Sequence, residues 1–121
     1  MRKHHEPRVY QEAMTLVREV YQATGSFPVS EQYGLTSQLR RPAVSVPRNI
    51  AEGPARESAK EFAQFLIMAR RSLSELETQL LIATELGYLP EAVAASLLER
   101  VDSIFALIGG LLRTLRQRSA S

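Results

Sequence analysis

Phe62, Leu66, Ala69, Leu73, Leu76, Leu80 and Ala83 follow one another at steps of four, three, four, three, four and three. Such a repeat keeps one stripe of a helix apolar for about three heptads, and that stripe is buried only where other helices lie along it at a shallow angle. A strand alternates every second residue and has no use for it. The flanks bound the element. Ser58-Ala59-Lys60-Glu61 reads as a capping box, with hydroxyl and carboxylate satisfying each other's backbone donors, and Gly87 closes the helix. The rest of the chain must therefore supply partner helices.

It supplies three. From Arg8 to Thr24 the apolar face is Val9, Ala13, Leu16, Val17 and Val20, and Gly25 ends the helix. Phe27-Pro28 then forces an extended link, after which Ser30 is available as a cap. The second helix runs from about Glu31 to Gly53, with Leu35, Leu39, Ala43, Val46 and Ile50 facing the core. Pro42 and Pro47 lie inside it. Each interior proline costs roughly 3 kcal/mol, so packing must offset them, and a bend is expected. The fourth helix opens at Leu89-Pro90-Glu91, with proline expected at its first position. Its main apolar row is Leu97, Val101, Ile104, Ile108, Leu111 and Leu115, widened sideways by Leu98, Phe105 and Leu112. Gly109-Gly110 interrupts that run, which points to a close helix contact. Four helices with short links give an all-α fold, an antiparallel up-and-down four-helix bundle with left-handed crossing.

At 121 residues the chain fits a single domain spanning 1–121, with 1–7 and 119–121 expected to be flexible. It contains no cysteine, so disulfides and thiolate metal sites are excluded. His4 and His5 are the only histidines and lack metal-binding partners. The basic N-terminus has no apolar run behind it, and no stretch approaches membrane-spanning length, so a cytoplasmic location is expected. No nucleophile–base pair, carboxylate pair or phosphate loop is present, and an enzyme, a catalytic residue or a cofactor is not expected.

Function is sought on the second helix and on the wide face of the fourth. Gln38, Ser45, Asn49 and Glu52 recur at helical steps as a polar stripe, and Asn49→Ala and Glu52→Ala are both expected to lower stability. Arg40, Arg41, Arg48 and Arg56 outnumber Glu52 between residues 38 and 56, forming a candidate surface for nucleic acid or a partner. Thirteen of the fifteen basic residues are arginine, the side chain suited to bidentate phosphate contacts. Tyr10, Tyr21, Tyr33 and Tyr88 are able to stack on bases, but none is interleaved with the basic stretch. Leu98, Phe105 and Leu112 exceed what one bundle seam needs and are candidate oligomer contacts.

The order YQATGSFP, EQYGLTSQLRR, SVPRNIAEG, then Arg56, Ser58, Glu61-Phe62 and SLSELETQLLIATELGYL, resembles the bacterial four-helix bundle proteins encoded in intervening sequences of 23S ribosomal RNA genes. The resemblance covers nearly the whole chain. It implies a bundle that assembles into a homopentameric barrel, and kinship with the accessory protein of diversity-generating retroelements, which works with a reverse transcriptase and nucleic acid. It brings no enzymatic activity and no catalytic residue. Three departures break the pattern: Pro42 stands for the usual alanine, Pro54-Ala55 for an aromatic-glycine pair, and Arg71 for a glycine before Ser72. Arg71 sets a long side chain where a close backbone approach is expected. The resulting expectation is a non-enzymatic homo-oligomeric bundle of poorly defined function, acting as a nucleic-acid-associated or ribonucleoprotein accessory factor with RNA, DNA or a nucleic-acid enzyme as partner. The alternative is a structural adaptor whose oligomer docks a protein partner without binding nucleic acid.

Overall fold

The computed structural model describes residues 7–120. Of the ends expected to be flexible, 1–6 and 121 lie outside the described residues, as do His4 and His5, while α4 continues through Ser119. The helices are α1, Arg8–Thr24, α2, Leu35–Glu52, α3, Ala59–Glu85, and α4, Glu91–Ala120, with no strand among the described residues. Each packs on its neighbour in sequence, and α1 closes on α4, while the diagonal pairs make no close approach. Short links make successive helices antiparallel. The start of α3 accordingly lies beside the end of α4, and the end of α1 beside the start of α2.

The heptad stripe of α3 forms the centre. Leu66, Ala69, Leu73, Leu76, Leu80 and Ala83 are buried, and half-buried Phe62 packs against the same core. Phe62 also explains Gly53: a Cβ there would come within 2.6 Å of the Phe62 ring. The Ser58 hydroxyl accepts the Glu61 N–H at 3.1 Å as a cap should, but the Glu61 carboxylate takes the Ser58 hydroxyl rather than its backbone N–H. Gly87 closes the α3 end at φ 80°, the left-handed geometry that glycine adopts without strain.

Several expectations need correction. Helix α2 begins at Leu35, later than expected, because residues 29–31 make a 3-10 turn and Gly34 breaks the chain before it. Glu31, and not Ser30, supplies the cap, its Oε1 accepting the Leu35 N–H at 3.0 Å. Helix α2 then runs unbroken through Pro42 and Pro47, whose rings are both buried, so packing offsets the lost backbone bonds. Pro90 precedes α4, and its carbonyl accepts the Ala94 N–H. On α4 the core row passes through Leu112, 5% exposed, rather than Leu111. Leu98 and Phe105 are half-buried against the same core, and Leu112 also borders a concavity between the start of α3 and the end of α4. Gly109 and Gly110 make no close contact with another helix, since a Cβ at either would meet only the Arg113 side chain, at 3.6 and 3.8 Å. Arg71 is exposed and leaves the α2–α3 seam undisturbed.

Candidate phosphate-binding groove

The polar stripe of α2 separates into two parts. Ser45 and Asn49 face α3: the Asn49 amide donates to the Ser45 carbonyl at 2.9 Å and to the Ser45 hydroxyl at 3.0 Å, and the Ser72 hydroxyl reaches that same hydroxyl at 2.8 Å. Asn49 is only 7% exposed, so this is an interhelical polar lock within one chain. Gln38 and Glu52 are exposed. Glu52 pairs with Arg56 one turn on, and the Arg56 guanidinium lies 4.9 Å from the Phe65 ring centre. Arg56 is thus engaged at the α2–α3 corner.

The other three arginines converge elsewhere. Beside the α1–α2 corner opens a groove of about 650 Å³ lined by Tyr21 of α1, Gln32 and Tyr33 of the loop, and Thr36, Ser37, Arg40, Arg41, Val44 and Arg48 of α2. Among the described residues no acidic side chain lines it. Steps of four, three and four bring Ser37, Arg41, Val44 and Arg48 onto one side of α2. Arg40 is held in place. Its Nε donates to the buried Thr24 hydroxyl at 2.8 Å, its Nη2 to the Tyr21 carbonyl at 3.3 Å, and its guanidinium lies 4.3 Å from the Tyr21 ring centre. Arg48 donates to the Ser45 hydroxyl at 3.4 Å. Among the described residues none of the three has a carboxylate partner, so the groove carries uncompensated positive charge.

One aromatic side chain of this groove is absent from any local reading of the sequence. Tyr21 precedes Arg40 by nineteen residues and is brought beside it by the α1–α2 hairpin. Tyr33 stands in the loop with its side chain almost fully in solvent. That loop is anchored: the Tyr88 hydroxyl donates to Glu31 Oε2 at 3.2 Å, and Tyr88 packs on buried Phe27 with ring centres 5.7 Å apart. The Glu31 carboxylate, by accepting the hydrogen bond of the phenol and by its charge, raises Tyr88 above the ordinary tyrosine value of 10.0. Tyr10 is half-buried against the core.

Two other concavities differ in kind. One of about 330 Å³ lies between the start of α3 and the end of α4, with Ala63, Ile67, Leu112 and Leu115 as an apolar floor under Lys60, Arg70 and Arg116. The other surrounds Arg100, whose guanidinium is paired with Glu12 at 2.7 Å and Glu19 at 2.5 Å. Among the described residues no group of three His, Cys, Asp or Glu side chains is placed to hold a metal ion, and no helix is long and apolar enough to cross a membrane.

The model of one protein family, described as 23S rRNA-intervening sequence protein, matches residues 5–110. A crystal structure of a protein with unknown function from the S23 ribosomal protein family, from Bacteroides thetaiotaomicron VPI-5482, is similar in fold. It shares 20% identity, covers 86% of this chain and 97% of its own, and superposes with a TM-score of 0.76. No curated protein matches the chain.

Proposed function

The chain belongs to the 23S rRNA-intervening sequence protein family, a family without an assigned activity, and we propose that it acts as a non-enzymatic nucleic-acid-associated accessory factor through the groove beside the α1–α2 corner. One observation carries this reading: three guanidinium groups face a single concavity that holds no acidic residue. Arg100 is neutralised inside the fold by two carboxylates, whereas Arg40, Arg41 and Arg48 leave their charge available to a phosphate. We further propose that the chain self-associates, as a pentamer. Leu81, Ile82 and Leu86 at the end of α3 and Val93 at the start of α4 are exposed apolar side chains, and contact between copies would cover them. A closed ring would repeat the groove once per subunit and strengthen each weak contact through multivalency. The same apolar side chains favour the second reading, an oligomeric adaptor that docks a protein and leaves nucleic acid alone.

Filter binding across a salt series separates the two. Nucleic acid should be retained at low salt and lost steeply as salt rises, because arginines displace counterions from phosphates. Replacing Arg41 and Arg48 with glutamine should flatten the log–log slope by about 1.4 for a single strand, or about 1.8 for a duplex. Absence of binding at the lowest salt would favour the adaptor.

A further inference from the structure

We propose that the groove takes single-stranded rather than duplex nucleic acid, with Tyr33 as the platform on which an unpaired base stacks; this rests on the reading of the groove as a phosphate site. Tyr33 is 90% exposed, an unusual state for a large ring with no structural contact to make. Its support is nonetheless fixed, because Glu31 joins the Leu35 N–H at 3.0 Å to the Tyr88 hydroxyl at 3.2 Å directly behind the loop. A ring presented from a fixed support loses little freedom when a base covers it.

The opposite wall offers a second flat surface. The Arg40 guanidinium lies over Tyr21 and is fixed by two hydrogen bonds, so its outer face is available to a base in the way that arginine planes stack on unpaired bases. Arg41 and Arg48, two helical turns and about 10 Å apart along α2, supply charge for the backbone. Stacking surfaces beside a cationic track are the parts from which single-strand sites are made. A duplex keeps its base faces stacked inside a convex cylinder, so it would touch the arginines and leave Tyr33 without a role.

The test is fluorescence anisotropy with the full chain at one fixed low salt concentration, using labelled oligodeoxyuridylate, oligouridylate and a blunt duplex of the same length. At least one single strand should bind about tenfold more tightly than the duplex. Tyr33→Ala should weaken that strand by about tenfold without changing its salt slope, since the ring neutralises no phosphate, and Tyr33→Phe should retain the affinity. The ring is exposed, so neither variant threatens folding. Comparable affinity for the two single strands leaves the sugar unread, while a preference for one identifies it. Equal binding of the duplex, or an unaltered Tyr33→Ala affinity, overturns the single-strand assignment; the phosphate reading then stands if Arg41→Gln and Arg48→Gln still flatten the salt slope. Failure of all three probes to bind overturns both.

Discussion

Arg100 on α4 and the Arg41–Arg48 row on α2 are the same residue type under opposite conditions. Arg100 bridges Glu12 and Glu19, two turns apart on α1, with side chains roughly a quarter to a third exposed. Its charge is used inside the fold: the hydrogen bond to Glu19, then the Glu19 charge and the hydrogen bond and charge of Glu12, raise its pKa despite the opposing effect of partial burial. Arg41 and Arg48 are exposed, line a groove and pair with no carboxylate. The first arginine ties α4 to α1; the other two contribute little to folding. From Arg41 to Arg48, along two turns, that cationic surface carries no acidic residue.

Replacing Arg100 with methionine breaks the comparison most severely. Glu12 and Glu19 would then be left half-buried without a cation, and stability should fall by about 2 kcal/mol. Arg41→Gln and Arg48→Gln should stay within about 0.5 kcal/mol of the parent. Urea unfolding decides the matter, and comparable losses in both regions would mean that the α2 row is structural after all. Arg40 is left out of the neutral set because it is bonded to buried Thr24.

The next contrast lies within α2 itself. Asn49 and Glu52 are three residues apart and were expected to behave alike, yet Asn49 is enclosed by α3 while Glu52 makes an exposed pair with Arg56. Asn49→Ala should cost about 1–2 kcal/mol, because it strips the Ser45–Ser72 lock of its amide. Glu52→Ala should change stability by less than about 0.5 kcal/mol, the range of exposed ion pairs. Thermal unfolding of both variants checks this, and equal shifts would refute the division of the stripe.

The parts of this molecule legible in its sequence are those set by local periodicity. The steps from Phe62 to Ala83, the Ser58 cap and Gly87 fix α3 from neighbouring residues alone, and the arginine row of α2 is visible by the same rule. The interchange of Leu111 and Leu112 was hidden because α4 is apolar over so wide an arc that two adjacent rows fit the core equally well on paper. Tyr21 joined the arginines only through the α1–α2 hairpin, a contact between distant residues, while Tyr33, seven residues before Arg40, stands in the loop off the helical register of the row. The cap by Glu31 was missed for a related reason. A carboxylate four residues before Leu35 reaches it only when the intervening chain turns tightly, and Tyr88, fifty-seven residues away, helps to hold it there.

That link between Tyr88 and Glu31 gives the smallest and most specific test, because it joins a structural contact to the groove. The fold raises the Tyr88 pKa, so the folded chain holds the phenolic proton more tightly than the unfolded chain does. The stabilisation is therefore fully present below the ordinary tyrosine value of 10.0 and is lost as pH rises through the folded value. Urea midpoints of the parent should fall in that alkaline range, and Tyr88→Phe should remove this component of the fall while leaving the chain folded, because the ring still packs on Phe27. The variant also releases one of the two hydrogen bonds that Glu31 accepts behind the Tyr33 loop. Single-strand affinity should drop less in Tyr88→Phe than in Tyr33→Ala, since the first loosens the support of the ring and the second deletes the ring. A larger loss from Tyr88→Phe would place the determinant in the shape of the loop and remove Tyr33 as the stacking platform.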